Sequence, residues 1–369
     1  MEEGRHRVRT VGVEEELLLV DPESGDPKAL AAPVLARAAK DDPAQDVFEK
    51  ELFGQMLEFA THPQSDMEAL GEEIVRCRKE AARHAGEIGC AVVALATSPL
   101  AVSPSLSMNE RYRWLAERYG VPTWEQLVCG CHVHVSVDSD EEGIEVLDRI
   151  RPWLGVLRAV SANSPFWQGR DSGYASYRSR VWNRWPSAGP TELFGSAERY
   201  HRQVADMVAT GAVLDEGMVY FDARLSARYP TVEIRVADVC LNAETAVLVA
   251  TLCRALVETA ARDWRAGRPA PDPGVSLLRL ADWQAARFGI EENLLDPATM
   301  RPVAAERVLR ALLEHTADAL TANGDAERAE QGVRALLRDG NGSRAQRRLM
   351  EETGSLRDVV RACVRHTQG

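Results

Sequence analysis

The sequence predicts an α+β fold with an antiparallel sheet, on three observations. Strand-like segments in the front two-thirds of the 369 residues lie among helices without regular β-α-β alternation. The back third reads almost wholly helical. Neither a G-x-x-x-x-G-K-[ST] phosphate loop nor a G-x-G-x-x-G fingerprint occurs, so nothing marks a doubly wound nucleotide-binding sheet.

The elements follow in order. Val11–Val20 is a strand candidate closed by the turn-like Asp21-Pro22-Glu23-Ser24-Gly25. A short helix follows at 29–40. Residues 47–61 allow either a helix or a hairpin turning at Gly54. Met67, Leu70, Ile74, Cys77 and Ala81 recur at helical spacing, which predicts an amphipathic helix over 66–89. Residues 90–97 form an apolar run of strand length, 108–119 a helix, and 128–137 the clearest strand. A helix at 144–161 leads into a loop-rich stretch from 163 to 190. Helix 192–210 and an alternating strand within 224–239 complete the front part. From Glu244 onward helices are broken only around 267–271 and 338–342. With no clear linker, residues 1–369 read as one domain, with a sheet and ligand loops in 10–240 and a mainly helical buttress in 241–369.

Composition narrows the function. Apolar residues at 45% and charged residues at 27% are the balance of an ordinary soluble protein. Lys and Arg number 44 against 56 Asp and Glu, a net charge of −12 that argues against a nucleic-acid partner. The polar start MEEGRHRVRT is no secretory signal, and no run approaches the ~20 apolar residues of a membrane span. Seven scattered cysteines suit reduced, buried thiols, so the expected location is the cytoplasm, away from membranes. Homo-oligomerisation is left open.

Three strands carry chemistry on one face each. In Gly12-Val13-Glu14-Glu15-Glu16-Leu17, alternation puts Glu14 and Glu16 together, opposite Val13, Glu15 and Leu17. Such a pair is either solvated at a wet edge or neutralised by a cation. In Cys129-Gly130-Cys131-His132-Val133-His134, the thiols join the valine face and the imidazoles point the other way. That argues against a C-x-C-H-x-H zinc site and for a polar cleft lined by histidines. In Val232-Glu233-Ile234-Arg235-Val236-Ala237, Glu233, Arg235 and Ala237 fall opposite the apolar face, as a plain ion pair or as part of a site. Glu51 and Glu58 share a face in the helical reading, and in the hairpin reading Glu58 lies opposite Leu57 and Phe59. The stretch Ser164 to Trp182, rich in Arg, Gly, Ser and aromatics, reads as a ligand lid, with a purely structural loop as the alternative.

Taken in order, G-V-E-E-E, G-C-H-V-H-V, N-S-P-F-W-Q-G-R-D-S-G-Y-A-S-Y-R and T-V-E-I-R-V-A-D resemble the YbdK-type carboxylate-amine ligases. These are the type-2 glutamate–cysteine ligase family of the glutamine synthetase-like superfamily. The resemblance spans roughly residues 10–350 and implies a curved antiparallel sheet flanked by helices, binding ATP and Mg²⁺ or Mn²⁺ on its concave face. It implies Glu14, Glu51, Glu58, His132 and Glu233 as metal positions and Glu16 and Arg235 as catalytic ones. It further implies Arg170, Arg178 and Arg235 for the nucleotide, and His134 and Arg170 for the substrate. The implied reaction joins glutamate's γ-carboxylate to cysteine or a related amine through an acyl phosphate. Two other classes stay open: a metal-dependent hydrolase using His132 and His134, and a non-catalytic ligand-binding relative of the fold.

Overall fold

A computed structural model describes residues 8–41, 47–107 and 109–368. The main sheet has seven strands: β1 (Val11–Val20), β2 (Phe48–Lys50), β3 (Met56–Ala60), β4 (Ala91–Val93), β5 (Gly130–Ser136), β8 (Ala223–Leu225) and β9 (Thr231–Asp238). A small antiparallel ribbon, β6 (Phe166–Trp167) and β7 (Arg170–Asp171), lies between β5 and β8 in the chain. The spatial order is β2-β3-β1-β5-β9-β8, with β4 paired to the far end of β1, and every pairing is antiparallel.

One side of this sheet is packed with helices. Val13, Leu17, Cys131, Val133, Val135, Val232 and Ile234 are all buried in the core. Helices Met67–Gly86, Asp140–Ser161 and Ala243–Arg265 pack beneath them, the first two each against the third. The capping signals are ordinary. Asp66 accepts from the backbone N–H of Glu68 at 2.7 Å and of Ala69 at 3.2 Å, and Ser139 accepts from Glu142 at 3.2 Å. That Ser139 cap starts the helix at Asp140, earlier than the apolar pattern from Ile144 indicates, because its first turn is acidic.

Other boundaries shift for similar local reasons. The hairpin reading of 47–61 holds, with Gly54 between β2 and β3. Helix Glu110–Tyr119 is capped by Asn109, and the expected start at Met108 lies outside the described residues. Only Ala91–Val93 of the run 90–97 pairs as a strand, and Ala197–Ala209 is the helical part of 192–210. The helical back third also holds a two-stranded ribbon, β10 (Asn293–Leu295) with β11 (Pro302–Ala304), too short for periodicity to reveal. All seven cysteines are buried free thiols. No helix among the described residues is long and apolar enough to cross a membrane.

The pairing of β5 with β9 contains a bulge. Cys131 opposes Ala237 but Val133 opposes Ile234, so Arg235 and Val236 together face His132. Strict alternation puts Ala237 beside Glu233 and Arg235. The bulge instead turns Ala237 to the Cys131 side and brings Asp238 opposite Gly130.

Candidate functional site

The other face of the sheet floors a cleft of about 830 Å³. Cross-strand register brings its groups together: Glu14 opposes His132, Glu16 opposes Glu58, and His134 opposes Glu233. Glu14, Glu16, Glu51, Glu58, His132, His134, Glu233 and Arg235 all line the cleft. Glu51 arrives from just beyond β2, where Leu52 and Gly54 pair with Ser107 and Ser105 of the neighbouring segment.

Two groups of cation-competent atoms form on this face. Glu16, Glu51 and Glu58 make one, and Glu14, His134 and Glu233 the other. Within each group the ligand atoms lie within 4.8 Å of one another. Because Glu14 and Glu16 are two residues apart on one strand, the groups are neighbours, roughly 7 Å apart along β1.

Their electrostatics differ. Burial, and then the Glu51 carboxylate, push Glu58 well above the usual carboxylate range. The same two causes raise Glu16 to about 7, although Arg178, Arg235 and the Gly130 N–H it accepts from pull the other way. Burial also opposes charge on Glu233, but Arg235 and Arg224 outweigh it and hold that carboxyl at about 2. Glu14 is likewise held low against burial by His132 and His134, whose Nδ1 and Nε2 each lie 3.2 Å from one of its oxygens. Burial and Arg235 lower His132 to about 4, so its imidazole is neutral, and its buried Nε2 has no hydrogen-bond partner. Three crowded carboxylates and a neutral imidazole with a free nitrogen fit hard divalent cations better than zinc.

Arg178 lies over Gly130 on the face shared with His132, where a β-carbon at that glycine would collide with the guanidinium. It is buried, yet its guanidinium makes no hydrogen bond or ion pair among the described residues. The loop that delivers it is anchored rather than lid-like. Asp238 accepts from Asn163 N–H at 2.8 Å, Ser164 Oγ at 2.6 Å and Ser176 Oγ at 2.8 Å. These partners are fully buried, which corrects the expectation of a ligand lid. Arg170 is exposed on the β6–β7 ribbon and does not line the cleft. The 340–344 segment packs on the same anchor, with Ser343 N–H on Ala162 O at 2.9 Å and Arg344 paired to Glu291 at 2.8 Å.

Several cleft residues escape sequence reasoning. Arg224 bonds Glu233 at 2.7 Å from an edge strand of three residues, and Tyr112, Trp182, Trp185 and Tyr220 wall the cleft from helices and loops. Only the Arg-aromatic density of 174–185 hints at part of this wall.

Comparison with known proteins bears on the family and the fold. The family model described as glutamate-cysteine ligase family 2 matches residues 10–362. A relative from Streptomyces avermitilis, provisionally named glutamate–cysteine ligase 2-1, is 74% identical over 362 residues, covering 98% of this chain and 100% of its own. One from Streptomyces coelicolor, provisionally named glutamate–cysteine ligase 2, is 72% identical, covering 98% and 99%. Among solved structures, the glutamate–cysteine ligase of Francisella tularensis in complex with AMP superposes with a TM-score of 0.72 at 12% identity, covering 98% of this chain and 90% of that one. The Pup ligase PafA, solved with Pup, gives 0.54 at 12% identity, covering 96% and 72%. The chain therefore belongs to the glutamate-cysteine ligase family 2 and is a ligase of that type.

Proposed function

We propose that the protein uses ATP to join an amino-acid carboxylate to an amine, with glutamate's γ-carboxylate and cysteine as the first pair to try. The single observation behind this reading is the pair of neighbouring carboxylate groups on one sheet face, with arginines converging on them. Amide formation from a carboxylate needs the acid oxygen converted into a leaving group. The substrate carboxylate attacks the γ-phosphorus of ATP, ADP departs, and the amine nitrogen then attacks the acyl carbon and expels phosphate.

Glu16, Glu51 and Glu58 would hold one divalent cation, and Glu14, His134 and Glu233 another, with His132 beside Glu14. Magnesium or manganese bound there supplies positive charge to the phosphate oxygens. Arg235 lines the cleft and Arg178 lies buried nearby, so both would add fixed positive charge on the side where phosphate charge builds. The aromatic wall at Tyr112, Trp182 and Tyr220 excludes water from that end of the cleft, which strengthens each of these interactions. None of the described residues is assigned to a thiol, and the amine is the least constrained component.

The test is ADP release across acid and amine pairs with and without Mg²⁺. Amine-dependent ADP with at least one amino-acid pair is expected, and none with any pair overturns the reading. Glu14→Gln and Glu233→Gln, folded but without turnover, would separate a catalyst from a ligand-binding relative.

A further inference from the structure

Arg178 and Trp182 are four residues apart on one short helix, so their side chains lie on the same side of it. The Arg178 guanidinium carbon sits 5.6 Å from the Trp182 ring centroid. Arg235, arriving from β9, places its own guanidinium carbon 5.7 Å from the same ring. Two buried cations thus share one indole. Each has a buried Nε without a hydrogen-bond partner, and Arg178 has no ion-pair partner among the described residues. Glu233 bonds Arg235, and Asp238 and Glu16 attract Arg178 only through space.

Something must hold two like charges together in so dry a place. An indole face carries negative potential, and a cation over it is attracted more strongly where water is excluded. The ring itself is fixed from behind. Tyr220 meets Trp182 at 5.0 Å between centroids, Trp185 meets Tyr220 at 5.7 Å, and Tyr119 meets Trp185 at 5.2 Å.

We infer that Trp182 is a positioning residue whose ring holds Arg178 and Arg235 together, so that Arg235, which lines the cleft, meets a polyanion there with the buried charge of Arg178 behind it. That the polyanion is the phosphate chain of ATP rests on the function proposed above. The shared ring does not depend on it.

Tripolyphosphate, titrated into the full-length protein by calorimetry, probes the arrangement without an amine or turnover. Trp182→Leu should weaken its binding about tenfold, and Trp182→Phe, which keeps a π face, should stay within about threefold of wild type. In an Arg178→Met background, where one of the two cations is gone, the same Trp182→Leu change should cost less than about threefold. A merely structural tryptophan gives equal losses in both backgrounds, and that result overturns the inference. Binding by Trp182→Leu within about twofold of wild type, or no binding by wild type, also overturns it. Melting temperatures verify folding, and Trp182→Met replaces the leucine variant under the same limits should that variant not fold. Wild type that binds tripolyphosphate but releases no ADP with any pair removes the ligase reading while leaving this one to be judged on binding alone.

Discussion

On the helix-packed side of β1, Glu15 is fully buried and bonds both oxygens to Arg78, each at 2.8 Å. Arg78 spends its remaining donors on the carbonyls of Leu241 at 3.0 Å and Cys240 at 2.7 Å. On the cleft side, Glu14 and Glu16 face Glu51, Glu58 and Glu233, and five carboxylates meet fewer fixed cations. The same residue type in one strand thus does opposite work. Below, the charge is neutralised permanently and locks helix Met67–Gly86 to the sheet. Above, neutralisation is left incomplete, which costs stability and creates affinity for cations.

Substitutions can break this contrast from either side. The largest effect is expected from Glu16→Gln or Glu58→Gln. Each should lower kcat by about 10²–10³-fold, because several kcal/mol of charge stabilisation depend on a bound cation. Neither should lower the melting temperature of the metal-free protein, since each relieves a carboxyl that burial and its neighbours already disfavour as an anion; a clear drop would place these acids among the structural ones. Arg78→Met should do the reverse, destabilising the fold by about 3–5 kcal/mol in denaturant titrations by leaving Glu15 uncompensated. Adding Glu15→Gln to that variant should restore part of the loss.

Gly130→Ala comes next, at about 1–3 kcal/mol from the collision with Arg178. Combining it with Arg178→Ala should recover stability but not turnover, which would separate the steric role of the glycine from the charge it admits. The smallest effect concerns Cys129 and Cys131, whose thiols burial pushes well above their usual range. Native protein should resist alkylation there by iodoacetamide, as read by mass spectrometry; ready labelling would mean that the lower face opens.

How much of this was legible follows from which interactions are local. Alternation alone sorts Glu14, Glu16, His132 and His134 onto one face and the cysteines onto the other, because strand geometry repeats every two residues. It places Glu15 underneath too, but cannot supply Arg78, which comes from a helix 63 residues away. Glu51 and Glu58 became interpretable only with the family resemblance and the hairpin, since either local geometry was permitted. Arg224 stayed hidden and Trp182 showed only as part of an aromatic-rich stretch, because an edge strand of three residues and one helical turn are too short to show a period. Arg170 and Arg178 looked equivalent in sequence. The anchor on Asp238 sends one into the core and leaves the other on a ribbon.

The bulge opposite His132 gives β9 two reading frames. Before it, odd-numbered residues carry the chemistry; after it, an even-numbered one does, and Asp238 fastens the loop that delivers Arg178. The extra residue at Arg235 and Val236 therefore sets which face every later residue of β9 takes. Were these two residues paired one for one with β5, Asp238 would turn into the apolar layer and Ala237 into the cleft, uncoupling the loop and the core in a single step. Insertions should be far better tolerated at the exposed β6–β7 ribbon than at this pair, even though neither β9 position is itself proposed to hold a cation.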